Sequence, residues 1–393
     1  MKGKLESILI VHPHLTIYGG AEILLSHLTE ELIKSGIEIS LVTLSLNAEV
    51  ETHFNNRIKF ILPQKHLKYK LRSTCFMNAL GILPEIWQLK KLIQGELPFI
   101  DAINIHNFPT TWAVSKRFNK PVVWTCNEPP ALWNNPSPSY ILKATRKFGG
   151  YIDTWKIRNC IDKVIVSDEV NAARVTNLYR IIPEIINYGI DYDFFAKKVE
   201  TDTKKKLSLE ESVVLLHVGL FSPQKNQLES VKVLDKLQNI IPHIKLLFAG
   251  KGDNAYEKEV RKFVKEHLLV DRVLFLGHVN RERIRELYQI ADIALFPTKS
   301  QGGWLSPFEA IASSIPVIVS PELTASSLIK SNKLGYVSEE FTSNIIEIIK
   351  NLEAEGKKAK IAQQWVRSNL SWEEYSRKMA DVFNQVINLK ELC

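Results

Sequence analysis

Short apolar, β-branched runs alternate with helical patterns along this chain, and the alternation occurs in two series. The first series of predicted strands covers residues 8–12, 37–43, 58–62, 102–106, 122–125, 163–167 and 185–187. The second covers residues 213–219, 244–250, 273–277, 293–297 and 316–320. Strands that alternate with helices are typical of βαβ units around a parallel sheet. The pattern therefore predicts an α/β protein with two doubly wound domains in succession.

The chain length and one charged segment suggest where the domains divide. A chain of 393 residues is too long for one ordinary core and suits two domains. Residues 191–211 are polar and highly charged, which predicts an exposed segment at a domain boundary. We expect an N-terminal domain over 1–195, a C-terminal domain over 196–370, and a final amphipathic helix over 371–393. The ligand of such a bilobal protein is expected in the cleft, outside the carboxyl ends of strands.

The composition is that of a soluble globular protein without a metal site. No run approaches the roughly 18 apolar residues that span a bilayer. The N-terminal apolar run is too short for a signal peptide, so we expect a cytoplasmic protein. No pair of cysteines has metal-ligand spacing or suggests a disulfide framework. These cysteines are Cys75, Cys126, Cys160 and Cys393.

Positive charge is concentrated in one stretch of the first domain. The net charge is +8, and six basic residues and no acidic one lie from Arg57 to Arg72. An amphipathic segment with Trp87 follows, and then Lys90 and Lys91. Basic residues beside an aromatic, amphipathic segment fit an anionic membrane surface. The alternative is a solvated loop followed by a core-packed helix. No nucleic-acid-binding motif accompanies the charge.

A glycine-bearing loop in the second domain is a candidate anion site. It lies between the predicted strands 293–297 and 316–320 and leads into a helix. Ser306 suits the N-cap, Pro307 the first helical position, and Glu309 the position three residues after the cap. The N–H groups at such a helix start can bind an anion such as a diphosphate. The alternative is that Ser306 and Glu309 only form a capping box.

Chemically capable residues also follow strands of the first domain. Gly19 and Gly20 open a helix and could hold a phosphate, or form only a tight turn. They are not part of a G-x-G-x-x-G fingerprint. His106 ends a strand, where a neutral imidazole could hydrogen-bond a sugar hydroxyl or simply be satisfied by the fold. Asn127 and Glu128 also follow a strand, and Glu128 is either an acceptor contact or a loop charge.

Comparable positions occur in the second domain. Lys225 follows the first strand, where a cation suits a diphosphate, although a surface lysine is the alternative. A base or ribose could lie against the backbone at other strand-end turns. These turns are Gly250-Lys251-Gly252 and Gly277-His278-Val279.

These pieces in this order resemble the retaining glycosyltransferases of family 4, which have the GT-B fold. The resemblance covers nearly the whole chain and rests on several separated motifs. They are Gly19-Gly20-Ala21-Glu22, His106, residues 187–191, Val218-Gly219 with Lys225, residues 275–279, residues 301–309 and Trp372-Glu373. It implies two Rossmann-like domains that face a cleft, with the last helix crossing back to the N-terminal lobe.

The resemblance also implies a chemistry for these residues. A sugar moves from a nucleotide donor to an acceptor hydroxyl with retained configuration, and neither a metal nor another cofactor is needed. Lys225 would neutralise the donor diphosphate, helped by N–H groups around Trp304, Leu305 and Ser306. Glu309 would hold the ribose hydroxyls.

The remaining implied contacts lie at other strand ends. His106 would touch the donor sugar, and Gly19 and Gly20 would line the phosphate and acceptor side. The other residues expected to line the nucleotide are Gly219, Gly250, His278 and Val279. Gln301 takes the first place of the Glu-x7-Glu motif of the family.

The sequence departs from the family pattern at four positions. Leu220 stands where an arginine is usual, Gln301 replaces a glutamate, Trp304 replaces the second glycine of the loop, and Asn127 stands where histidine is frequent. Gln301 can still donate to and accept from sugar hydroxyls.

The resemblance implies transfer of a hexose, either mannose from GDP-mannose or glucose from a UDP donor. The acceptor would be a glycan or a lipid-linked glycan of the cell envelope, at the inner face of the membrane. One alternative is a catalytically weakened partner subunit that binds a sugar nucleotide or glycan. Others are a sugar-nucleotide epimerase and a phosphorylase of similar shape, although no pyridoxal-phosphate lysine signature is present.

Overall fold

The computed structural model describes residues 5–64, 75–130, 140–299 and 302–392. The chain divides into two compact units. Unit 1 comprises Met1–Gly189 together with Trp372–Cys393, and unit 2 comprises Ile190–Ser371. Each unit has its own parallel sheet with helices packed against it.

Unit 1 is built on a seven-stranded parallel sheet in the part of the chain that the structure describes. The strands of unit 1, inside and outside this sheet, are β1 (Ser7–Val11), β2 (His14–Leu15), β3 (Glu38–Val42), β4 (Ser45–Leu46), β5 (Lys59–Ile61), β6 (Ala102–His106), β7 (Val122–Thr125), β8 (Lys163–Val166) and β9 (Glu184–Ile185). Its helices are α1 (Gly20–Lys34), α2 (Ala48–Glu51), α3 (Cys75–Glu96), α4 (Thr110–Ala113), α5 (Tyr140–Cys160) and α6 (Glu169–Tyr179). The strand order is β5-β3-β1-β6-β7-β8-β9, and β2 pairs separately with β4. The order reverses between β1 and β6, so the carboxyl ends of these two strands form the switch point where ligands bind in open α/β sheets.

Unit 2 has a six-stranded parallel sheet among the described residues. Its elements are α7 (Tyr192–Ala196), α8 (Thr203–Lys206), β10 (Val213–Val218), α9 (Gln227–Leu237), β11 (Ile244–Ala249), α10 (Asn254–Glu266), β12 (Val273–Phe275), α11 (Arg281–Ile290), β13 (Ile293–Phe296), α12 (Leu305–Ala312), β14 (Val317–Val319), α13 (Ser326–Ser331), β15 (Tyr336–Val337), α14 (Phe341–Lys350) and α15 (Leu352–Asn369). The strand order is β12-β11-β10-β13-β14-β15, and its switch point lies between β10 and β13.

The predicted fold class is confirmed, because both series of strands form parallel sheets and every predicted strand overlaps an observed one. The β-branched runs become strands because both faces of each sheet are covered by helices, which makes a continuous apolar strand favourable. The prediction missed β2, β4 and β15, because strands of two residues are too short to carry a hydrophobic pattern.

Most charged residues of the segment 191–211 are exposed, as its composition predicts, and the segment lies close to the unit boundary after Gly189. Phe195 and Leu209 are completely or almost completely buried in unit 2. The Phe195 ring packs edge-on against Tyr288, and the Val199 N–H donates to the Gln289 side chain at 3.1 Å. The charged side chains therefore remain at the surface, while a few apolar residues at separate positions dock the segment on unit 2.

The last helix, α16 (Trp372–Glu391), packs on α1 and belongs to unit 1. The Trp372 ring stacks on His27 with ring centroids 4.6 Å apart. Asn384 accepts a hydrogen bond from the Leu5 N–H at 2.9 Å. The apolar stripe of this helix, which includes Met379 and Phe383, is buried. Its amphipathic pattern is therefore satisfied by packing within unit 1.

Replacing Gly189 with alanine is expected to destabilise unit 1 by about 1–3 kcal/mol through overpacking. A Cβ atom at Gly189 would lie 2.4 Å from the Trp372 backbone nitrogen and 2.6 Å from its ring. Gly95→Ala is the matched control, because nothing lies within 4 Å of a Cβ there and alanine favours the helix. Urea unfolding measures both variants, and equal midpoints would contradict the contact.

Candidate functional site

Three glycines form a ledge without side chains at the carboxyl end of the unit 2 sheet. Gly219 follows β10, Gly250 follows β11 and Gly277 lies shortly after β12. The Gly219 N–H donates to the Ala249 carbonyl at 3.0 Å, and the Gly250 N–H donates to the Gly277 carbonyl at 2.8 Å. The hydrogen bonds continue the sheet beyond its strands and leave bare backbone at the surface. His278 is exposed and Val279 partly buried in the turn that follows.

Lys225 lies beside the glycine loop that precedes α12. A Cβ atom built on Gly303 would lie 2.7 Å from the Lys225 Nζ atom, so the ammonium group lies directly against this backbone. The Lys299 N–H donates to the Gln224 carbonyl at 2.9 Å and joins the two loops. Gly302 and Gly303 have φ values of 77° and 88°, which favour glycine. A cation, a glycine turn and a helix N-terminus therefore occur together next to the unit 2 switch point.

The predicted start of α12 is wrong by two residues. Trp304, not Ser306, occupies the N-cap position, and no side chain caps the helix. Ser306 and Pro307 lie inside the first turn, where the missing N–H of proline costs no helical hydrogen bond. The two glycines with positive φ end the turn early enough for the helix to begin at Leu305. The Trp304 ring is buried against Phe308, with ring centroids 4.5 Å apart.

The pKa of Glu309 is raised well above the usual value of a glutamate. Burial raises the pKa of Glu309 to about 7, Arg281 opposes this rise and Asp191 adds to it. Burial and the neighbouring Glu309 charge also raise the pKa of Tyr288. The Tyr288 hydroxyl donates to the Ser306 carbonyl at 3.1 Å and fixes the first turn of α12. A carboxyl group with this pKa can change its charge near neutral pH.

Sequence reasoning missed Lys251 as a possible second cation. It is exposed between Gly250 and Gly252. A Cβ at Gly250 would lie 3.4 Å from the Leu220 N, and one at Gly252 would lie 2.7 Å from the Phe221 N. The Lys251 backbone therefore runs beside Leu220, which is 63% exposed. The signal in the sequence was a cation between two strand-end glycines.

In unit 1, Gly19 and Gly20 open α1 after the first strand. The Gly19 N–H donates to the Glu22 carboxylate at 3.1 Å, and Gly20 is the first residue of the helix. Burial raises the pKa of Glu22. The two glycines therefore form a tight turn at the start of α1, and Glu22 caps this start.

His106 ends β6 as predicted, and it is completely buried. The Asn104 side-chain NH₂ donates to the Val123 carbonyl at 3.1 Å and to Thr125 at 3.0 Å. The Asn104 oxygen is therefore the atom that faces the His106 Nε2 at 2.7 Å, so Nε2 carries the proton. Burial, followed by the nearby His12, lowers the pKa of His106 well below its usual value. His106 is neutral, and its buried Nδ1 has no hydrogen-bond partner within the described residues.

A polar chain continues from His12 across the neighbouring strand ends. The His12 Nε2 lies 2.9 Å from the Asn107 amide nitrogen, and burial lowers the pKa of His12 to about 4. Asn127 donates to the Asn107 oxygen at 3.4 Å and accepts from the Tyr188 hydroxyl at 2.7 Å. Glu128, next in the same loop, is partly buried. Sequence reasoning missed His12 and Asn107, although His12 also follows a strand.

The structure therefore groups the predicted site residues by unit. Lys225, Trp304, Leu305, Ser306 and Glu309 lie around the start of α12, and Gly219, Gly250, His278 and Val279 lie along the ledge. Gly19, Gly20 and His106 belong to unit 1. Gln301 lies outside the described residues, as do the basic residues from Lys65 to Arg72. Among the described side chains, no cluster of three potential metal ligands occurs, and no helix is long and apolar enough to span a membrane.

Two protein-family models match the chain, and together they span both units. The model described as Glycosyltransferase Family 4 matches residues 18–194. The model described as Glycosyl transferases group 1 matches residues 198–379.

Curated relatives are distant. Spore coat protein SA of Bacillus subtilis is 24% identical over 303 residues, which are 67% of this chain and 78% of that protein. The lipopolysaccharide 1,2-N-acetylglucosaminetransferase of Salmonella typhimurium is 25% identical, over 50% of this chain and 55% of that protein. The lipopolysaccharide core biosynthesis mannosyltransferase LpsB of Rhizobium meliloti is 29% identical, over 40% and 45%. The chain thus spans about half the length of the latter two.

Solved structures share the fold over almost the whole chain. HepE of Anabaena, in complex with UDP, superposes with a TM-score of 0.75 and 16% identity, over 97% of this chain and all of that one. Sucrose-phosphate synthase of Thermosynechococcus elongatus gives a TM-score of 0.79 and 19% identity, over 97% and 98%. The epimerase and phosphorylase alternatives are not favoured by these matches. With both family models matched and two parallel-sheet units present, the chain belongs to the group 1, family 4 glycosyltransferases of the GT-B fold.

Proposed function

We propose that this protein is a hexosyltransferase that moves mannose or glucose from a nucleoside-diphosphate sugar to a hydroxyl of a glycan or lipid-linked acceptor. The observation that carries the proposal is the position of the Lys225 ammonium against Gly303, at the start of α12. A cation and a helix N-terminus at one point suit a diphosphate rather than a neutral ligand.

The proposed reaction retains configuration and needs no metal. The bond between the sugar C1 and the diphosphate oxygen breaks, and a bond from C1 to the acceptor oxygen forms on the same face. The acceptor proton passes to the departing phosphate oxygen. Negative charge grows on the diphosphate, where Lys225 and the N–H groups of Trp304, Leu305 and Ser306 stabilise it. We propose that Lys251 also stabilises this charge, to a smaller extent, and partly compensates for the arginine that is usual at the position of Leu220.

The remaining contacts are proposed from the family resemblance. The base and ribose lie along the ledge of Gly219, Gly250 and the His278-Val279 turn, and Glu309 accepts hydrogen bonds from the ribose hydroxyls. From the family resemblance, we assign Gln301 and His106 to the donor sugar, and Gly19 and Gly20 to the acceptor. Since His106 is completely buried here, its contact requires the ring or its cover to move.

The donor and the setting are proposed from the relatives. HepE was solved with UDP and with UDP-glucose, and LpsB is named a mannosyltransferase, which supports a UDP- or GDP-linked hexose. Two relatives are named for lipopolysaccharide synthesis, which supports an envelope glycan as the acceptor. We place the protein in the cytoplasm, at the inner face of the membrane, with the basic residues from Arg57 to Arg72 facing anionic lipid.

A second candidate function is a weakened partner subunit that binds a donor without turnover. It is motivated by Leu220 and Gln301, which stand where arginine and glutamate are usual in the family. Double substitution Leu220→Arg and Gln301→Glu separates the two functions. A large gain in donor hydrolysis indicates decayed catalysis, whereas no gain indicates an enzyme adapted to its own residues.

Nucleotide affinity is expected to fall as the pH drops through 7. Ribose hydroxyls donate to an ionised Glu309, and its raised pKa of about 7 leaves roughly a tenth of it ionised at pH 6. Affinity should therefore fall about tenfold from pH 8 to pH 6. Calorimetric titration of UDP and GDP at several pH values measures this affinity. In Glu309→Gln, only the pH dependence that comes from ionisation of the nucleotide itself should remain. Identical pH profiles would contradict the ribose role.

The test of the proposed function is a thermal-shift panel of UDP, GDP, ADP and their common sugars. A ligand at one hundred times its dissociation constant stabilises the folded protein by about 2.7 kcal/mol, which is easily measured. One nucleoside diphosphate and the corresponding nucleoside-diphosphate hexose should raise the melting temperature, and Lys225→Ala should remove this rise. If no nucleotide raises it, the proposed function is wrong.

A further inference from the structure

An unusual row of exposed aromatic side chains lies on α5. Phe148, Tyr151 and Trp155 have exposed fractions of 67%, 65% and 58%. Because they are three and four residues apart, they lie in one stripe along the helix. The opposite side of the helix, with Asp153 and Ile157, is buried. The aromatic stripe is therefore the outer surface of a helix that is firmly packed on its inner side.

Helix α3 carries a further exposed aromatic side chain. Trp87 is 63% exposed, and the Lys91 Nζ lies 5.6 Å from its ring centroid. The inner sides of α3 and α5 contribute to the same apolar core, through Leu89 and Ile157 among others. The two helices therefore cover the same side of the unit 1 sheet. We call Trp87, Phe148, Tyr151 and Trp155 the aromatic face.

The exposed charges among the described residues of the two helices are of one sign, because Glu85 and Glu96 of α3 are partly buried and lie beside His14 and Lys59. Lys90, Lys91 and Lys147 are exposed on the two helices. Over residues 146–160 the single acidic residue is Asp153, and it is buried. Its carboxylate accepts hydrogen bonds from Trp112 at 2.7 Å and from Tyr179 at 2.7 Å, so it offers no outward negative charge.

This combination fits one kind of partner better than others. A stripe of exposed aromatic groups along one helix indicates an interaction surface, because water contact with these rings is unfavourable. A second copy of the chain would bring two basic rims together. Anionic lipid headgroups complement the lysines, while Trp and Tyr rings are suited to the boundary between headgroups and acyl chains.

We propose that the aromatic face docks on the surface of an anionic lipid bilayer. The inference rests on the membrane partner of the proposed function and assigns the apolar part of that contact to α3 and α5. The rings enter the headgroup boundary, and the lysines hold the phosphates. Unit 1 is then held at the membrane, where a lipid-linked acceptor is available.

The test is sedimentation of the full chain with vesicles of phosphatidylcholine and about one third phosphatidylglycerol, a content that gives a negative surface potential. Wild-type protein should bind these vesicles and not vesicles of pure phosphatidylcholine. The triple variant Phe148→Ser, Tyr151→Ser, Trp155→Ser should bind at least about tenfold more weakly. The matched control replaces the exposed Ile182, Leu268 and Ile361 with serine and should bind like the wild type.

A second pair of variants tests the charges without removing any ring. Lys91→Glu with Lys147→Glu should weaken vesicle binding by at least about thirtyfold, since each lysine near an anionic surface contributes about a fivefold gain in binding. Lys232→Glu with Lys360→Glu, at exposed positions on α9 and α15, is the control and should leave it unchanged. Thermal unfolding verifies that each variant is folded.

Three results would overturn the inference. In the first, the aromatic variant binds vesicles like the wild type, whereas a variant of the basic residues 57–72 loses vesicle binding. The protein then still binds a membrane, but not through the aromatic face. In the second, wild-type protein ignores anionic vesicles, and then the membrane partner also falls. In the third, the aromatic variant changes only the oligomeric state in sedimentation velocity. The nucleotide panel is independent of all three, so the transferase proposal is judged separately.

Discussion

Replacing Lys225 with alanine is expected to lower kcat/KM for sugar transfer by about a hundred- to a thousandfold, the usual effect of removing one group that stabilises developing negative charge. The expectation follows from the Lys225 Nζ against Gly303, beside the start of α12. The ammonium compensates charge that grows as the diphosphate departs, so kcat should fall as well as donor affinity. Release of UDP or GDP from the donor found in the panel measures both parameters.

A graded series of lysines makes this prediction specific. Lys251→Ala should lower kcat/KM by about tenfold, because its exposed stem is more screened by water than Lys225. Lys232→Ala, on the exposed side of α9, should have no effect. Equal losses for all three variants would indicate a general charge effect, and an unchanged Lys225→Ala variant would place the diphosphate elsewhere.

The sheets were predictable from the sequence because both are covered by helices on two faces. Buried parallel strands must be continuous apolar runs, so their positions are visible without any partner. The prediction for β6 matches the observed Ala102–His106. Parallel topology then places the residues after each strand, such as Lys225 and the three glycines, at one edge of a sheet.

The details of the site depend on contacts between distant segments, which no local pattern carries. The proton position on His106 follows from Asn104, whose amide is oriented by the register of β6 against β7. The start of α12 depends on two glycine φ values, which the pattern Ser-x-x-Glu does not reveal. The perturbed pKa of Glu309 arises from burial and from Arg281 and Asp191, which come from separate elements.

Gly250→Ala is expected to destabilise unit 2 by more than about 3 kcal/mol and to abolish nucleotide binding, because overpacking and backbone strain act at the same position. A Cβ atom at Gly250 would lie 1.9 Å from the Gly219 carbonyl oxygen, far inside contact distance. Its φ of 151° is also unfavourable for a side chain. The backbone around Gly219 would have to move, and with it the strand end that carries Leu220 and the loop of Lys225.

Gly277→Ala separates the two causes, because its φ is 68° and nothing lies within 4 Å of a Cβ there. This control carries strain alone and should lose about 1–2 kcal/mol. Urea unfolding gives the stability of both variants, and calorimetry with UDP and GDP gives the affinity at a temperature where both are folded. If Gly250→Ala costs no more than Gly277→Ala, the backbone can relax at Gly219, and the close approach of β10 and β11 is not what shapes the nucleotide surface. If it costs more but still binds nucleotide, the ledge is structural and the base lies elsewhere.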